Sequence, residues 1–205
     1  TSASISVTVT DDANFETSET VVIDLGTPIN ANAGPNIVHT LTITDNDPPP
    51  TVAFTTTAST NSESIATFTI PVSLSASSSQ SISVDYSVTG GTAPSGADFT
   101  LTSGTLTFAS GIITQSISLN VNNDLKDELD ETIILTLSNP TNTSLGANTT
   151  HTYTIIDDDL PPTVSFTSLS QSLSENGGTI TVTAQLSAVS DLPVRGPCTA
   201  NAESN

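Results

Sequence analysis

The sequence has almost no basic side chains. Its 205 residues contain 2 Lys plus Arg against 21 Asp plus Glu, which gives a formal net charge of -19. Nucleic acids and anionic membrane surfaces are bound through basic patches, so this charge balance argues against both as partners. Apolar runs are short as well, and none approaches the roughly 18 residues of a membrane span. We therefore expect no nucleic-acid partner and no membrane insertion in this segment.

Cysteine is scarce, and Met and Trp are absent. Because Cys198 is the single cysteine, the chain cannot form an intrachain disulfide, and its stability must come from packing and from any bound metal. The Ser/Thr/Asn-rich, Lys-poor composition is typical of extracellular repeat proteins. We therefore expect an extracellular or cell-surface location for a secreted protein.

The sequence also lacks motifs for catalysis. It has no nucleophile elbow, no HExxH, no phosphate-binding glycine loop and no Cys/His pairing. A glycosidase needs a pair of carboxylates, but the acidic residues here outnumber that need severalfold. His39 and His151 recur in the core-facing phase of one strand, and we interpret both as packed structural histidines. We expect that the protein is not an enzyme.

What the sequence does contain is clusters of acidic residues that recur with a period of 112 residues. A gapless period of this kind indicates a tandem array of one structural unit. We predict the C-terminal part of a first repeat (1–47), a complete repeat with its Pro-rich joint (48–162), the N-terminal part of a third repeat (163–194) and a non-repeat tail (195–205). The recurring acids are Asp12, Glu16 and Glu19 with Asp124, Glu128 and Glu131, then Asp45-Asn46-Asp47 with Asp157-Asp158-Asp159, and Glu63 with Glu175.

Apolar and polar residues alternate along nearly the whole chain, which predicts β-strands. Short strands separated by Gly, Asn, Pro and Ser loops are typical of an antiparallel, immunoglobulin-like β-sandwich, so the fold class is all-β. In the middle repeat we predict strands at 51–57, 65–75, 82–89, 99–109, 112–121, 132–138 and 150–156. We interpret Ser103-Gly104 as a kink within the fourth strand and not as a hairpin.

If successive strands run up and down, alternate loops lie at the same pole of the sandwich. The loops at one pole then carry ten acidic residues, whereas the loops at the opposite pole (76–81, 110–111 and 139–149) carry none. Clustered carboxylates with almost no basic neighbours are the ligands of a hard divalent cation, and we predict calcium. The ten acids of this acid pole are Glu63, Asp98, Asp124, Asp127, Glu128, Asp130, Glu131, Asp157, Asp158 and Asp159.

Four segments of the middle repeat carry a recognisable pattern: Ser62-Glu63, the run from Gly90 to Phe99, the loop 123–131, and Thr154 to Asp159. Together they resemble the Calx-beta domain, a module of sodium–calcium exchanger regulatory regions and of large bacterial surface proteins. The resemblance covers residues 1 to about 194, and Ser174 to Gly178 of the third repeat matches it too.

The resemblance implies calcium ions at the acid pole, about two to four of them. The implied ligands in the middle repeat are the side chains of Glu63, Asp98, Asn123, Asp124, Glu128, Glu131, Asp157, Asp158 and Asp159 and the carbonyl of Lys126. The repeat pattern extends the set to Asp12, Glu16, Glu19, Asp45 and Asp47 in the first repeat and to Glu175 in the third. Asp127 and Asp130 correspond to Phe15 and Ser18, so their role stays open.

These expectations favour calcium-rigidified modules of an extracellular stalk, adhesin or fibre, with calcium and neighbouring repeats as partners. A regulatory calcium sensor is the first alternative, and a glycan- or protein-binding module is another, although no aromatic platform is visible. The two partial end repeats suggest a further alternative. They could complete one another between identical subunits by strand complementation, which would join the molecules head to tail in a filament.

Overall fold

A computed structural model of the protein describes residues 2–197. Residue 1 and residues 198–205, which include Cys198, lie outside the described part, so the predicted tail is described only as far as Pro197. The described residues contain no helix that is long and apolar enough to cross a membrane. They form sixteen strands joined by turns and irregular segments.

The strands follow the repeat organisation of the sequence. Three lie in the first partial repeat, eleven in the middle repeat and two in the third. Their bounds are β1 (Asn14–Phe15), β2 (Glu19–Asp24), β3 (Val38–Ile43), β4 (Thr51–Phe54), β5 (Ala58–Ser62), β6 (Thr67–Leu74), β7 (Ser77–Ser78), β8 (Ile82–Gly91), β9 (Phe99–Thr100), β10 (Gly104–Phe108), β11 (Thr114–Val121), β12 (Glu131–Thr141), β13 (Ser144–Leu145), β14 (Thr150–Ile156), β15 (Val164–Phe166) and β16 (Ala184–Leu186).

The middle repeat is a sandwich of two five-stranded sheets. One sheet has the order β10-β8-β12-β14-β5 and the other β13-β4-β6-β11-β9. Most neighbouring strands are antiparallel, whereas β14 with β5 and β13 with β4 are parallel. The predicted all-β sandwich is confirmed.

Strand alternation generates the core of this sandwich. Along β11 every second residue from Gln115 to Val121 turns inward, and the residues between them are exposed. Burial of one side chain in two is what a strand with one solvated face requires. The core residues are Val52, Phe54, Ile70, Val72, Leu74, Ile82, Val84, Phe99, Leu106, Phe108, Ile117, Leu119, Val121, Ile133, Leu135, Leu137, Tyr153 and Ile155.

Crossings between the two sheets change two of the strand predictions. The run 51–57 forms β4 only as far as Phe54, and residues 58–62, which were predicted to lie in a loop, form β5 in the other sheet. The run 99–109 is divided into β9 in one sheet and β10 in the other. The chain crosses between sheets without turning back, because Phe99 pairs with Val121 near the acid pole and Phe108 pairs with Ile82 at the far end. Ser103-Gly104 therefore lies at a crossing and not in a continuous strand, but the predicted chain direction is correct.

The partial repeats use the pairing registers of the middle repeat, displaced by 112 residues. Val21 pairs with Leu41 as Ile133 pairs with Tyr153. In the third repeat, the register of β15 with β16 equally matches that of β4 with β6. Within the described residues no second sheet covers these hairpins. The apolar side chains of the first hairpin that would face a core are therefore only half-buried, and those of β15 in the third repeat are exposed, with Val164 and Phe166 at 59% each.

His151 is a buried structural histidine, as the alternation predicts. Its Nδ1 donates to the Thr56 carbonyl at 2.8 Å, because a carbonyl can only accept, and its Nε2 therefore accepts from Ser59 Oγ at 2.7 Å. The ring thus ties β14 to the segment that carries β5. His39, its counterpart in the first repeat, is exposed because β3 lacks a covering sheet within the described residues.

Candidate metal centre

The strand pairing brings four separate segments to the acid pole. Parallel pairing of β5 with β14 aligns their C-terminal ends, and Glu63 N donates to the Ile156 carbonyl at 3.0 Å. Glu63 therefore lies beside the acidic segment that follows β14. On the other sheet, Asn122 N donates to the Asp98 carbonyl at 2.8 Å, which places Asp98 beside the acid loop, residues 123–131, between β11 and β12.

Five carboxylates form a first group, which we name the Glu63 cluster: Glu63, Asp124, Asp157, Asp158 and Asp159. One carboxylate oxygen from each of Glu63, Asp124 and Asp159 lies within 4.8 Å of the others. Glu63 is only 5% exposed, although it carries no cationic partner among the described residues.

Several oxygens at this pole are buried and have no hydrogen-bond donor among the described residues. They are Glu63 Oε1, Glu131 Oε2, Asp157 Oδ1 and Asp159 Oδ2. A buried acceptor without a donor is costly, and a buried carboxylate more so. A divalent cation prefers oxygen ligands and would satisfy several of these atoms at once, so the donor set fits a bound hard metal ion.

The electrostatics of the Glu63 cluster point the same way. Burial and the neighbouring charges, first Asp124 and then Asp159, raise the pKa of Glu63 to about 7. Burial also raises the pKa of Asp159, together with repulsion from Asp157. Without a cation, the Glu63 carboxyl therefore tends to keep its proton up to about neutral pH.

Asp158 differs from its neighbours because it has hydrogen-bond donors. Ser62 Oγ donates to Asp158 Oδ2 at 2.6 Å. The hydroxyls of Ser62 and Ser64 lower the pKa of Asp158, so this carboxylate stays ionised. Asp158 therefore offers a permanent negative charge at the exposed rim of the cluster.

A second group, the Glu131 cluster, contains Asp98, Glu128 and Glu131. Asp98 is 8% exposed. Burial and the adjacent Asp98 carboxyl raise the pKa of Glu131 to about 7, and burial also raises the pKa of Glu128.

Lys126 supplies the cation nearest to both clusters. Its Nζ lies 3.3 Å from Glu128 Oε1, 3.6 Å from Asp124 Oδ2 and 3.4 Å from Asp191 Oδ2. The hydrogen bond to Glu128 is the main reason why the pKa of Lys126 is raised.

The remaining predicted residues of the acid loop are placed differently. Asn123 and Asp130 are exposed. Asp127 is buried but accepts a hydrogen bond from Ser190 Oγ, and so faces the third repeat. Asp191, which contacts Lys126, was missed by sequence reasoning. Its counterpart one period earlier is Ser79, so the repeat pattern carries no signal for an acid there.

The first repeat assembles its own acidic cavity, of about 330 Å³. Glu16 N donates to Asp45 Oδ2 at 2.9 Å, which ties its acid loop to the segment after β3. Partial burial and the nearby acids, first Asp45, raise the pKa of Asp47. Glu175 in the third repeat is exposed. The acidic and amide residues that line the cavity are Asp11, Asp12, Glu16, Glu19, Asp45, Asn46 and Asp47.

Comparison with known proteins identifies relatives of this architecture. The chain resembles a crystal structure of the apo form of the Calx CBD1 domain, with 31% identity and a TM-score of 0.52, over 54% of this chain and 98% of that one. It also resembles CBD12 from CALX1.2, with 30% identity and a TM-score of 0.52, over 58% of this chain. The calcium binding domain CBD12 of CALX1.1 gives 30% identity and a TM-score of 0.52, over 57% of this chain.

The match covers 48% of each CBD12 structure, so the chain spans about half the length of those two relatives. No curated protein sequence shows significant similarity to it. The sequence model of the Calx-beta domain matches residues 1–47 and 44–159, which together make up most of the chain. The chain therefore belongs to the Calx-beta domain family.

Proposed function

We propose that this protein binds Ca²⁺ at the acid poles of its repeats and that the bound ions stiffen the array. The observation that carries the proposal is that one carboxylate oxygen from each of Glu63, Asp124 and Asp159 lies within 4.8 Å of the others, beside buried oxygens that no donor between residues 2 and 197 satisfies. Calcium takes six to eight oxygens in flexible geometry, which suits carboxylates from several segments, whereas magnesium demands a stricter octahedron.

The proposed ligands are those implied by the family resemblance. The solved relative described as a calcium binding domain supports the choice of ion. The proposal assigns these sites to the predicted repeats 1–47, 48–162 and 163–194. In the middle repeat the ligands are Glu63, Asp98, Asn123, Asp124, the Lys126 carbonyl, Glu128, Glu131, Asp157, Asp158 and Asp159; the outer repeats supply Asp12, Glu16, Glu19, Asp45, Asp47 and Glu175.

The position of the sites explains how ions could stiffen the array. Each acidic segment after the last strand runs directly into a Pro-rich joint, Asp47-Pro48-Pro49-Pro50 or Asp159-Leu160-Pro161-Pro162. Proline fixes φ, so these joints are short, stiff spacers. Because the ions neutralise the pole beside each joint, they would hold neighbouring repeats at a defined angle. This role is that of a calcium-binding structural module in an extracellular stalk, adhesin or fibre, and it involves no catalysis.

The test is to compare the whole chain in calcium and in EDTA. We expect calcium to raise the melting temperature and to make the hydrodynamic radius smaller and more uniform, with binding heat in calorimetric titration. Magnesium at the same concentration serves as the control and should have less effect. Identical melting curves with and without EDTA would contradict the proposal.

A regulatory calcium sensor is the second candidate, because the resemblance found in the sequence includes the regulatory regions of sodium–calcium exchangers. The affinity for calcium separates the two functions, because a sensor inside a cell needs about micromolar affinity and an extracellular module works at about millimolar calcium. Titration of the whole chain with calcium decides between them.

The exposed apolar faces of the outer hairpins favour the filament alternative. Val164 and Phe166 on β15 are each 59% exposed, although Val52 and Phe54, their counterparts in the middle repeat, lie in the core. If the partial repeats complete one another between subunits, sedimentation should show a mass that grows with protein concentration. A monomer over the whole range would dispose of this alternative.

A further inference from the structure

The acid loop of the middle repeat and its equivalent in the first repeat, residues 11–19, make the same main-chain contact with the repeat that follows. The Phe15 carbonyl accepts from Ser79 N at 3.0 Å, and the Asp127 carbonyl accepts from Asp191 N at 3.2 Å. Donors and acceptors are each 112 residues apart. The residues before the two donors also pair in parallel with the acceptors, Ser78 with Phe15 and Ser190 with Asp127. The two joints are therefore built alike, although the side chains at these positions differ.

The receiving segment has the same turn in both copies. Ser78 Oγ accepts from Gln80 N at 3.0 Å, and Ser190 Oγ accepts from Leu192 N at 3.1 Å. Such serine turns fix the local backbone. The amide that reaches across to the preceding repeat is therefore held in position before the joint forms.

The acid-loop side is also shaped alike. Asp12 Oδ1 accepts from Asn14 N at 2.9 Å, and Asp124 Oδ1 accepts from Lys126 N at 2.8 Å. The side chains of Asn14 and Lys126 then each donate to the glutamate two residues later, at 3.0 and 3.3 Å. The docking segment is thus anchored by residues of the acid pole.

We propose that the segment 14–15 or 126–127 of each acid loop is a docking surface, and that its partner is the segment 77–80 or 189–192 of the following repeat. Asp127 belongs to this interface and not to an ion site. It is 8% exposed, and its Oδ2 accepts from Ser190 Oγ at 2.9 Å, while its carbonyl lies 3.1 Å from the same hydroxyl. This hydrogen bond explains how the Asp127 carboxylate can be buried without a bound metal ion.

Side chains make the second joint different from the first. Asn14 and Ser79 are neutral, whereas Lys126 and Asp191 carry opposite charges, with Nζ and Oδ2 3.4 Å apart. The Lys126 side chain is 36% exposed and that of Asp191 is 58% exposed, so this ion pair adds little energy. The main-chain bond and the Ser190 hydroxyl therefore supply most of the contact.

The test uses trypsin, because Lys126 and Arg195 are the two basic residues of the chain. Lys126 lies in the docking surface, and Arg195 is exposed and serves as an internal control. Ser190→Ala removes the hydroxyl from the joint. Ser172→Ala removes the hydroxyl of an exposed serine of the same repeat that takes no part in the joint, and is the matched control.

We expect Ser190→Ala to speed cleavage after Lys126 by roughly 3- to 10-fold, as loss of one or two hydrogen bonds implies when opening is faster than cutting. Cleavage after Arg195, calcium affinity and the Ser172→Ala rates should stay unchanged. In the parent chain, the amide protons of Ser79 and Asp191 should both exchange more slowly than that of Ser172.

The joint does not require the ion, so the two proposals fail separately. Wild-type cleavage rates in the Ser190→Ala chain, or fast exchange at Ser79 and Asp191, would overturn the docking surface. It would also be overturned if Ser190→Ala weakened calcium binding as strongly as Glu63→Gln does. Faster cleavage in a chain that binds no calcium would contradict the proposed function and uphold the joint.

Discussion

At the residue scale, Glu63 faces conflicting requirements. Its side chain is 5% exposed, yet the nearest charges are those of Asp124 and Asp159, which are also negative. An uncompensated carboxylate in such a place destabilises the fold, and a bound cation reverses the sign of its contribution. Glu63 therefore destabilises the fold when no metal is bound and stabilises it when metal is bound.

Glu63→Gln separates these two effects. Without calcium we expect the free energy of unfolding to rise by about 1 kcal/mol, with a higher melting temperature, because the substitution removes the repulsion between Glu63 and the neighbouring carboxylates. The rise in melting temperature on adding calcium should shrink, because a ligand is lost. Asp130→Asn, which removes an exposed charge from the acid loop at the same pole, is the control and should change stability by less than about 0.5 kcal/mol. A lower calcium-free melting temperature for Glu63→Gln would contradict this account.

The raised pKa values of Glu63 and Glu131 predict how stability depends on pH without calcium. Each is about 7 in the folded protein against 4.5 for the free side chain, so between these values the folded state holds protons that the unfolded state has released. The free energy of unfolding should therefore fall as the pH rises from about 4.5 to 7, by about 1–3 kcal/mol. Asp158 has a lowered pKa, so its contribution is lost only at pH values below this window.

Thermal melting in metal-free buffers from pH 5 to 8 measures this effect. With calcium bound, the protons are displaced, and the fall in stability should disappear. Calcium titrations in buffers of different ionisation enthalpy should show the released protons. A calcium-free protein whose stability rises between pH 5 and 7 would be inconsistent with the buried carboxylates described above.

The acids of the Glu63 cluster were predictable at one pole because the loops that carry them alternate along the chain. The role of Asp127 was not predictable, because the interface is formed mainly by the backbone and Phe15, at the equivalent position, carries no side-chain pattern that indicates it. Nothing in the sequence indicated Asp191 either, because the contacts of this segment with the acid loop join residues that are 63 to 65 positions apart in the chain. The proposed ligands themselves stay predictions.

At the element scale, the longer strands and their direction were predictable, but β5, the short β7 and β13, and the sheet to which each strand belongs were not. Alternation says that every second residue faces a core, and in a sandwich both sheets face the same core. The sequence places β5, which follows the crossing at 55–57, in a loop. The crossing at 101–103 leaves the alternation undisturbed, so β9 and β10 look like one strand in the sequence. Only the pairing partners distinguish them.

Gly91 shows how one position sets the path into the acid pole. Its φ is +121°, and an added Cβ would lie 2.1 Å from the Thr132 carbonyl oxygen. That oxygen accepts from both Thr92 N and Ala93 N, at 2.8 and 3.0 Å, and so starts the segment that leads to Asp98. The tight approach needs a residue without a side chain.

We therefore expect Gly91→Ala to destabilise the protein by about 2–4 kcal/mol and to weaken calcium binding, because Asp98 is displaced. Gly90→Ala is the matched control. Its Cβ would meet Ile134 Cδ1 at 3.6 Å, an ordinary contact, so the cost should stay within about 1 kcal/mol. Chemical denaturation and calcium titration of both variants measure the difference. Equal stability of the two variants would show that the backbone at Gly91 can relax.

At the scale of the whole molecule, the net charge of -19 acts on the calcium-free protein through repulsion at each acid pole. We expect NaCl to raise its melting temperature by several degrees between 0.05 and 1 M, because screening shortens the range of repulsion from about 14 Å to 3 Å. The calcium-loaded protein is the control, and its melting temperature should respond less. A calcium-free melting temperature that falls with salt would contradict this view of the poles.

The parallel pairing of β5 with β14 bears on how a repeat would carry load. β5 lies near the entry of the chain into the middle repeat and β14 near its exit, and the two strands run side by side from Ala58 with Thr152 to Ser62 with Ile156. A pull on the two ends would slide these strands past one another in opposite directions. Their hydrogen bonds would then be sheared together and not opened one after another, which is the geometry in which a small domain best withstands tension.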